Sequence, residues 1–259
     1  MADPTTPDKD ALLVKVVNDE EDFKQGFHCI SEAFGRQTRD AIWQAFNPGW
    51  ETPEGQAAGA NRMIQRWKST TTDNKGNPNT IFLKATLPDP KDAGRRIIAG
   101  FAIWVQASAV EGYGDVSAGD VSSSLDLGSL HPGDESEQRF LRQMLRSLLG
   151  RRLAFVASKA AADPPSIMAL DLCATHPAFQ RRGVASELVR WGLDEAGRRG
   201  IPDATTEASS MGRPVYARLG FRPQGPDIVY EVDDEFSHRD KPPNVFMLYS
   251  RGHESHGTQ

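Results

Sequence analysis

Apolar positions along the chain change period several times, and each change marks an element. Residues 12–17 form a β-branched run that predicts a strand. Asn18, Asp19, Glu20, Glu21 and Asp22 then supply N-cap and first-turn acids, and Phe23, Phe27, Ile30 and Phe34 recur at helical spacing. Gly35 is expected to end that helix. A short helix over about 38–46 and a less regular one over about 54–68 follow, separated by Asn47-Pro48-Gly49. Past a turn cluster at 73–78, the runs 80–87 and 95–107 around Pro88-Asp89-Pro90 predict an antiparallel pair.

Residues 107–133 are rich in glycine and serine, including a serine run at 122–124, and read as a loop. Helical spacing returns over 134–159. Phe140, Leu141, Met144, Leu145, Leu148 and Leu149 form the apolar stripe, and Arg139, Arg142, Arg146, Arg151 and Arg152 form an expected solvated face. The run 167–174 is apolar enough for a strand buried on both faces. Val184, Leu188, Val189, Leu193 and Ala196 mark another helix, 203–208 a short strand and 245–249 a last one.

Length and charge narrow the classes. A chain of 259 residues is one elaborated domain or two small ones. With 30 Lys and Arg against 35 Asp and Glu, the net charge is −5, which lacks the global basic footprint of a nucleic-acid or anionic-membrane binder. Neither nucleic acid nor membrane is therefore an expected partner. Two cysteines, Cys29 and Cys173, form no disulfide framework or CxxC pair, and no metal motif is expected. The start of the chain has no basic and apolar leader, and no apolar run nears the roughly 20 residues of a membrane helix. A cytoplasmic location is expected, with a nuclear pool left open.

Chemistry concentrates at 167–221. The buried strand ends at Thr175-His176-Pro177, and Gln180-Arg181-Arg182-Gly183-Val184-Ala185 leads straight into a helix. The first N–H groups of a helix lack internal partners and sit at its positive end, so strand, basic glycine loop and helix make an anion site. Neither GxxxxGK[ST] nor a complete GxGxxG is present. The loop resembles the Q/R-x-x-G-x-G/A signature of the GNAT superfamily of acyl-CoA-dependent N-acetyltransferases. Downstream, Gly212-Arg213-Pro214-Val215-Tyr216-Ala217-Arg218-Leu219-Gly220-Phe221 looks like the family's helix ending in Y-x-x-L-G-F. The specific motifs cover 170–221, the order of elements resembles the family over about 11–250, and the wording is similar to fungal-type members.

The resemblance implies an α+β, three-layer GNAT fold, with a mixed, mostly antiparallel sheet flanked by helices and splayed central strands. It implies that Gln180, Arg181, Arg182, Gly183, Val184 and Ala185 hold the pyrophosphate of acetyl-CoA, and that the backbone of Leu172, Cys173 and Thr175 runs beside the pantetheine arm and polarises the acetyl carbonyl. Ser209 would position cofactor or tyrosine, or cap a helix. Tyr216 would protonate the departing thiolate. The Cys173 thiol has no assigned base and reads as core rather than as an acyl carrier. The glutamate that histone-acetylating members carry four residues before the Cys173 position is Ala169 here. Asp171, sharing side-chain parity with Cys173, and Glu207, on the neighbouring strand, are the candidate bases. Phe34, Trp43, Phe46 and Trp50 are divided between core and acceptor pocket.

The expected organisation is a flexible leader at 1–10, a single N-acetyltransferase domain at 11–250 with an insertion at about 107–165, and a flexible tail at 251–259. The expected activity is transfer of acetyl from acetyl-CoA to a primary amine of a small molecule, by direct attack in a ternary complex, in a monomer or homodimer. The alternatives are a protein N-acetyltransferase and a non-catalytic acyl-CoA-binding protein.

Overall fold

The computed structural model describes residues 12–89, 91–116 and 126–252. The expected leader, the serine run at 122–124 and the tail beyond residue 252 lie outside the described residues. β1 (Leu13–Val16) leads into α1 (Glu21–Ile30), a π-helical segment (Ser31–Gln37), α2 (Ala41–Phe46) and α3 (Pro53–Lys68). Two long strands follow, β2 (Thr80–Asp89) and β3 (Asp92–Ser108), then β4 (Asp115–Val116), the single turn α4 (Leu127–Leu130) and the long helix α5 (Glu135–Ser158). The remainder runs β5 (Ile167–Thr175), α6 (Val184–Arg198), β6 (Asp203–Ala208), α7 (Arg213–Arg218), β7 (Arg222–Pro223) and β8 (Val245–Ser250).

The strands form one sheet in the order β1-β2-β3-β5-β6-β8-β7, with β4 beside the end of β3. Its pairings are antiparallel except β3 with β4 and β5 with β6. The β5–β6 ladder registers only Met168 with Ala204 and Ala169 with Thr205. Beyond it the Thr206 hydroxyl donates to the Leu170 carbonyl at 3.1 Å, a side chain standing in for the missing backbone bond where the strands part. This is the expected α+β sandwich with splayed centre.

Each face of the sheet is covered because the helices carry apolar stripes of the right period. On one face Phe23, Ile30 and Ile64 from α1 and α3 meet Phe82, Phe101 and Ile103. On the other, Val184, Leu188, Val189 and Leu193 from α6 meet Ala102, Trp104, Met168 and Leu170. A third cluster joins α5 to Ile42, Leu127, Tyr230 and Phe236.

Two expectations are corrected. Gly35 does not end the first helix, since the π segment carries the chain through it to Gln37. The glycine is required for space: a Cβ there would lie 2.6 Å from the Trp50 ring. Nor is Arg152 part of a solvated face. It is 9% exposed and ion-paired inside the fold, whereas Arg139 pairs at the surface with Asp233 and Glu235.

Candidate active site

The site begins with a defect in β5. Its register against β3 passes from Leu170–Trp104 to Leu172–Ile103, so Asp171 is an extra, unpaired residue. Such a bulge breaks the alternation of side chains along a strand. Leu170 belongs to the cluster under α6, whereas Leu172 packs against the cluster under α1 and α3, and Cys173 returns to the α6 side. The parity expected to align Asp171 with Cys173 therefore fails. Asp171 meets α3 and α5 instead, with Arg66 Nη2 on Oδ2 and Arg152 Nη1 on Oδ1, both at 2.9 Å.

The loop after β5 is built as an anion cradle. Arg181 and Gly183 both take left-handed backbone, at φ 63° and 81°, and alternation of this kind turns successive N–H groups toward one concave face. Gly183 caps α6, whose first bond runs from the Glu187 N–H to the Gly183 carbonyl, leaving the N–H groups of Val184, Ala185 and Ser186 outside the helical ladder. Gln180 anchors the loop. Its side-chain amide exchanges bonds of 2.7 and 3.1 Å with that of Gln37 in the π segment, and it also donates to the Thr175 carbonyl.

Beside this cradle is a cavity of about 440 Å³, lined by Phe34, Gln37, Cys173, Thr175, Arg181, Gly183 and Tyr216 among others. Thr175 Oγ1 is buried with no hydrogen-bond partner among the described residues, a hydroxyl free for a ligand. Tyr216 and Cys173 line the same cavity and interact electrostatically. Burial pushes the Cys173 thiol up from 9.0 to about 12, even against the lowering influence of Tyr216. Burial likewise raises Tyr216 well above its ordinary value, so it stands protonated beside Cys173. Cys29, pushed up to about 12 by burial, is a core residue of α1.

Of the residues singled out from the sequence, Cys173, Thr175, Gln180, Arg181, Gly183, Val184, Ala185, Ser209 and Tyr216 all line this one cavity. Leu172 packs away from it, and the Arg182 guanidinium lies 5.6 Å over the Phe179 ring. Ser209 also accepts the Gly212 N–H at 3.2 Å, holding the turn into α7. Of the four aromatics left undecided, Phe34 reaches the cavity, while Trp43, Phe46 and Trp50 pack in or against buried clusters and one another. His176 accepts the Ala178 N–H through Nδ1 and so caps the turn at 177–179.

Asp171 and Glu207 come together elsewhere, on Arg152. Its guanidinium takes both Glu207 oxygens, through Nε and Nη2, and one Asp171 oxygen. Burial raises the Asp171 carboxyl, but the guanidiniums of Arg66 and Arg152 outweigh it and hold the group well below the ordinary carboxylate range. Glu207 is raised by burial despite Arg152. Neither carboxylate is a free base. Arg66 and Arg152 were missed as site residues from the sequence. A signal existed for Arg152, which continues the spacing of Leu141, Leu145 and Val156 on the apolar stripe of α5.

Residues 129–221 match the acetyltransferase (GNAT) family. No curated protein matches the sequence. Among solved structures the chain resembles arylalkylamine N-acetyltransferase 2 from Aedes aegypti at 17% identity and TM-score 0.56, over 92% of this chain and 98% of that one. It resembles an agmatine N-acetyltransferase at 11% identity and TM-score 0.56, over 92% and 98%. A histone acetyltransferase HPA2 and related acetyltransferase from Corynebacterium glutamicum aligns at 20% identity and TM-score 0.50, over 93% and 97%. The segment bearing the glycine loop matches the model of that family, and the fold that carries it resembles those of solved N-acetyltransferases.

Proposed function

We propose that the protein transfers the acetyl group of acetyl-CoA to a primary amine of a small molecule, by direct attack within a ternary complex. The observation that carries this reading is a buried, protonated Tyr216 in the same cavity as Cys173 and the N-terminus of α6. The free N–H groups at 184–186 and the left-handed loop suit a pyrophosphate, and the unpartnered Thr175 hydroxyl suits an amide of the pantetheine arm. Attack joins the amine nitrogen to the acetyl carbon, the carbon–sulfur bond breaks, and the sulfur leaves needing a proton. Tyr216 supplies it. The amine's own proton passes to water, because Asp171 is held ionised by two arginines and Glu207 is occupied by Arg152. Both acids then act on the acceptor side as fixed charges.

The unit is read as one acetyltransferase domain over 11–250. Its insertion at 107–165 contributes to the site, since α5 delivers Arg152. A small amine is favoured over a protein because two structural neighbours are named for arylalkylamine and agmatine acetylation. Thiol release from acetyl-CoA across a panel of amines and peptides tests the reading: turnover with simple amines is expected, and absence of turnover with every acceptor despite CoA binding refutes it. A second expectation concerns the loop. Gly183→Val places a β-branched residue at φ 81°, which costs about 1–2 kcal/mol, and should weaken CoA binding by about tenfold in calorimetry with Tm lowered by only a few degrees. Unchanged affinity would separate the loop from the ligand.

A further inference from the structure

Resting on that reading, we infer that His176 is a pH-sensitive latch on the cofactor loop: neutral, it holds the turn that leads into the cradle, and protonated, it releases that turn and weakens the grip on CoA. The backbone of His176 is fixed independently of its ring. Its N–H donates to the Ala99 carbonyl of β3 at 2.9 Å, and its carbonyl accepts the Phe179 N–H at 2.8 Å. The ring adds a bond that depends on protonation. Nδ1 accepts the Ala178 N–H at 3.2 Å, which requires a neutral imidazole with its proton on Nε2. An imidazolium carries N–H at both nitrogens, so the Ala178 N–H would face another donor and lose its acceptor.

The same ring stands in a row of side chains that ends in the cradle. His28 of α1 lies 5.9 Å from His176 and Phe179 lies 5.4 Å from it, centroid to centroid, and the Arg182 guanidinium sits 5.6 Å over Phe179. Gln180, the next residue, is tied to Gln37 of the π segment. A turn released at Ala178 therefore disturbs Phe179, Gln180 and Arg182 together, and with them the loop whose left-handed residues aim the N–H groups. The groups around the ring fix the direction of the switch. His28 faces it from α1, and Glu32 from the π segment is already paired with Arg36 at 2.8 Å. Arg182 lies beyond Phe179, Cys29 of α1 is a neutral thiol pushed up to about 12, and β3 contributes the Ala99 carbonyl. Burial and then His28 lower His176 from its ordinary 6.5, against a raising influence of Glu32. The latch is thus closed at neutral pH and opens as pH falls below 6.5.

The test is calorimetric titration of CoA into the full chain at pH 8, 6.5 and 5.5, with His176→Asn alongside. Asparagine offers an oxygen to the Ala178 N–H and does not titrate, so the variant reports the ligand's own protonation, which falls in the same range. Relative to His176→Asn, the parent should bind about threefold to fivefold more weakly at pH 5.5 and equally at pH 8. Linkage requires the converse: CoA should move the midpoint of the His176 ring down by about one pH unit in an NMR titration. If His176→Asn fails to fold, His28→Gln at the exposed end of the row decides, since removing the neighbouring ring should shift the affinity loss to higher pH. Parent and His176→Asn weakening alike, affinity rising as pH falls, or a midpoint that His28→Gln leaves in place overturns the inference while the acetyltransferase reading stands. CoA binding to neither protein at any pH refutes the reading and the inference together.

Discussion

Replacing Tyr216 by phenylalanine is expected to lower kcat by roughly tenfold to a hundredfold while leaving the affinity for acetyl-CoA unchanged. The size follows from the environment of the sulfur. Cys173 reports what that spot does to a thiol, raising it from 9.0 to about 12, and three units correspond to about 4 kcal/mol against forming a thiolate there. A departing sulfur in the same place carries a similar penalty unless a proton meets it, and the Tyr216 hydroxyl is a protonated donor lining the same cavity as Cys173. Phenylalanine keeps the ring contact with Phe221, 5.9 Å between centroids, so packing is preserved while the proton is lost. Cys173→Ala provides the contrast. A thiol near 12 is about one part in 10⁵ thiolate at pH 7, too little for an acyl carrier, and this variant should retain turnover. Steady-state kinetics with calorimetry of CoA binding decide the matter. An unchanged kcat in Tyr216→Phe would reduce the tyrosine to a packing residue, and loss of turnover in Cys173→Ala would reopen the covalent route.

The parts of this site that were legible in the sequence are those whose chemistry is local. A glycine between two arginines and an amphipathic helix implies left-handed backbone and free N–H groups within six residues, and the loop has both. The aromatic of the Y-x-x-L-G-F stretch is legible for the same reason, since α7 and its turn are set by neighbours in the chain. What failed depends on distant partners. The bulge at Asp171 comes from how β5 is registered on β3, and no alternation within 167–175 signals it, so parity assigned the side chain to the wrong face. Gly35 reads as a helix stop by residue type, although it serves the Trp50 ring fifteen residues away. Arg152 was hidden by company: four other arginines on α5 suggested a wet face, and only its place on the Leu141, Leu145, Val156 line distinguishes it. An arginine on an apolar stripe demands acids to meet it, and buried Glu207 with partly exposed Asp171 are those acids.

That demand sets the largest stability effect. Arg152→Met keeps most of the side-chain volume but leaves Glu207 with no cation and Asp171 with Arg66 alone. Removing one partner of a buried pair costs about 3–5 kcal/mol, which for a domain of this size lowers Tm by about 10 °C or more. The loss should depend on pH in a definite direction. Burial already lifts Glu207 above its ordinary 4.5 with Arg152 present, and Asp171 across the cluster raises it further. Without the guanidinium the folded state keeps a proton that the unfolded chain gives up as pH rises through 4.5. Where the folded state binds more protons, stability falls with rising pH. The deficit of Arg152→Met relative to the parent should therefore be smallest near pH 5 and grow toward pH 8 in denaturant titrations. Adding Glu207→Gln removes the stranded charge, so the double variant should regain much of the loss at pH 8 and little at pH 5. A deficit equal at both pH values, or one that the second change leaves untouched, would mean that Arg152 supports α5 through the packing of its methylenes.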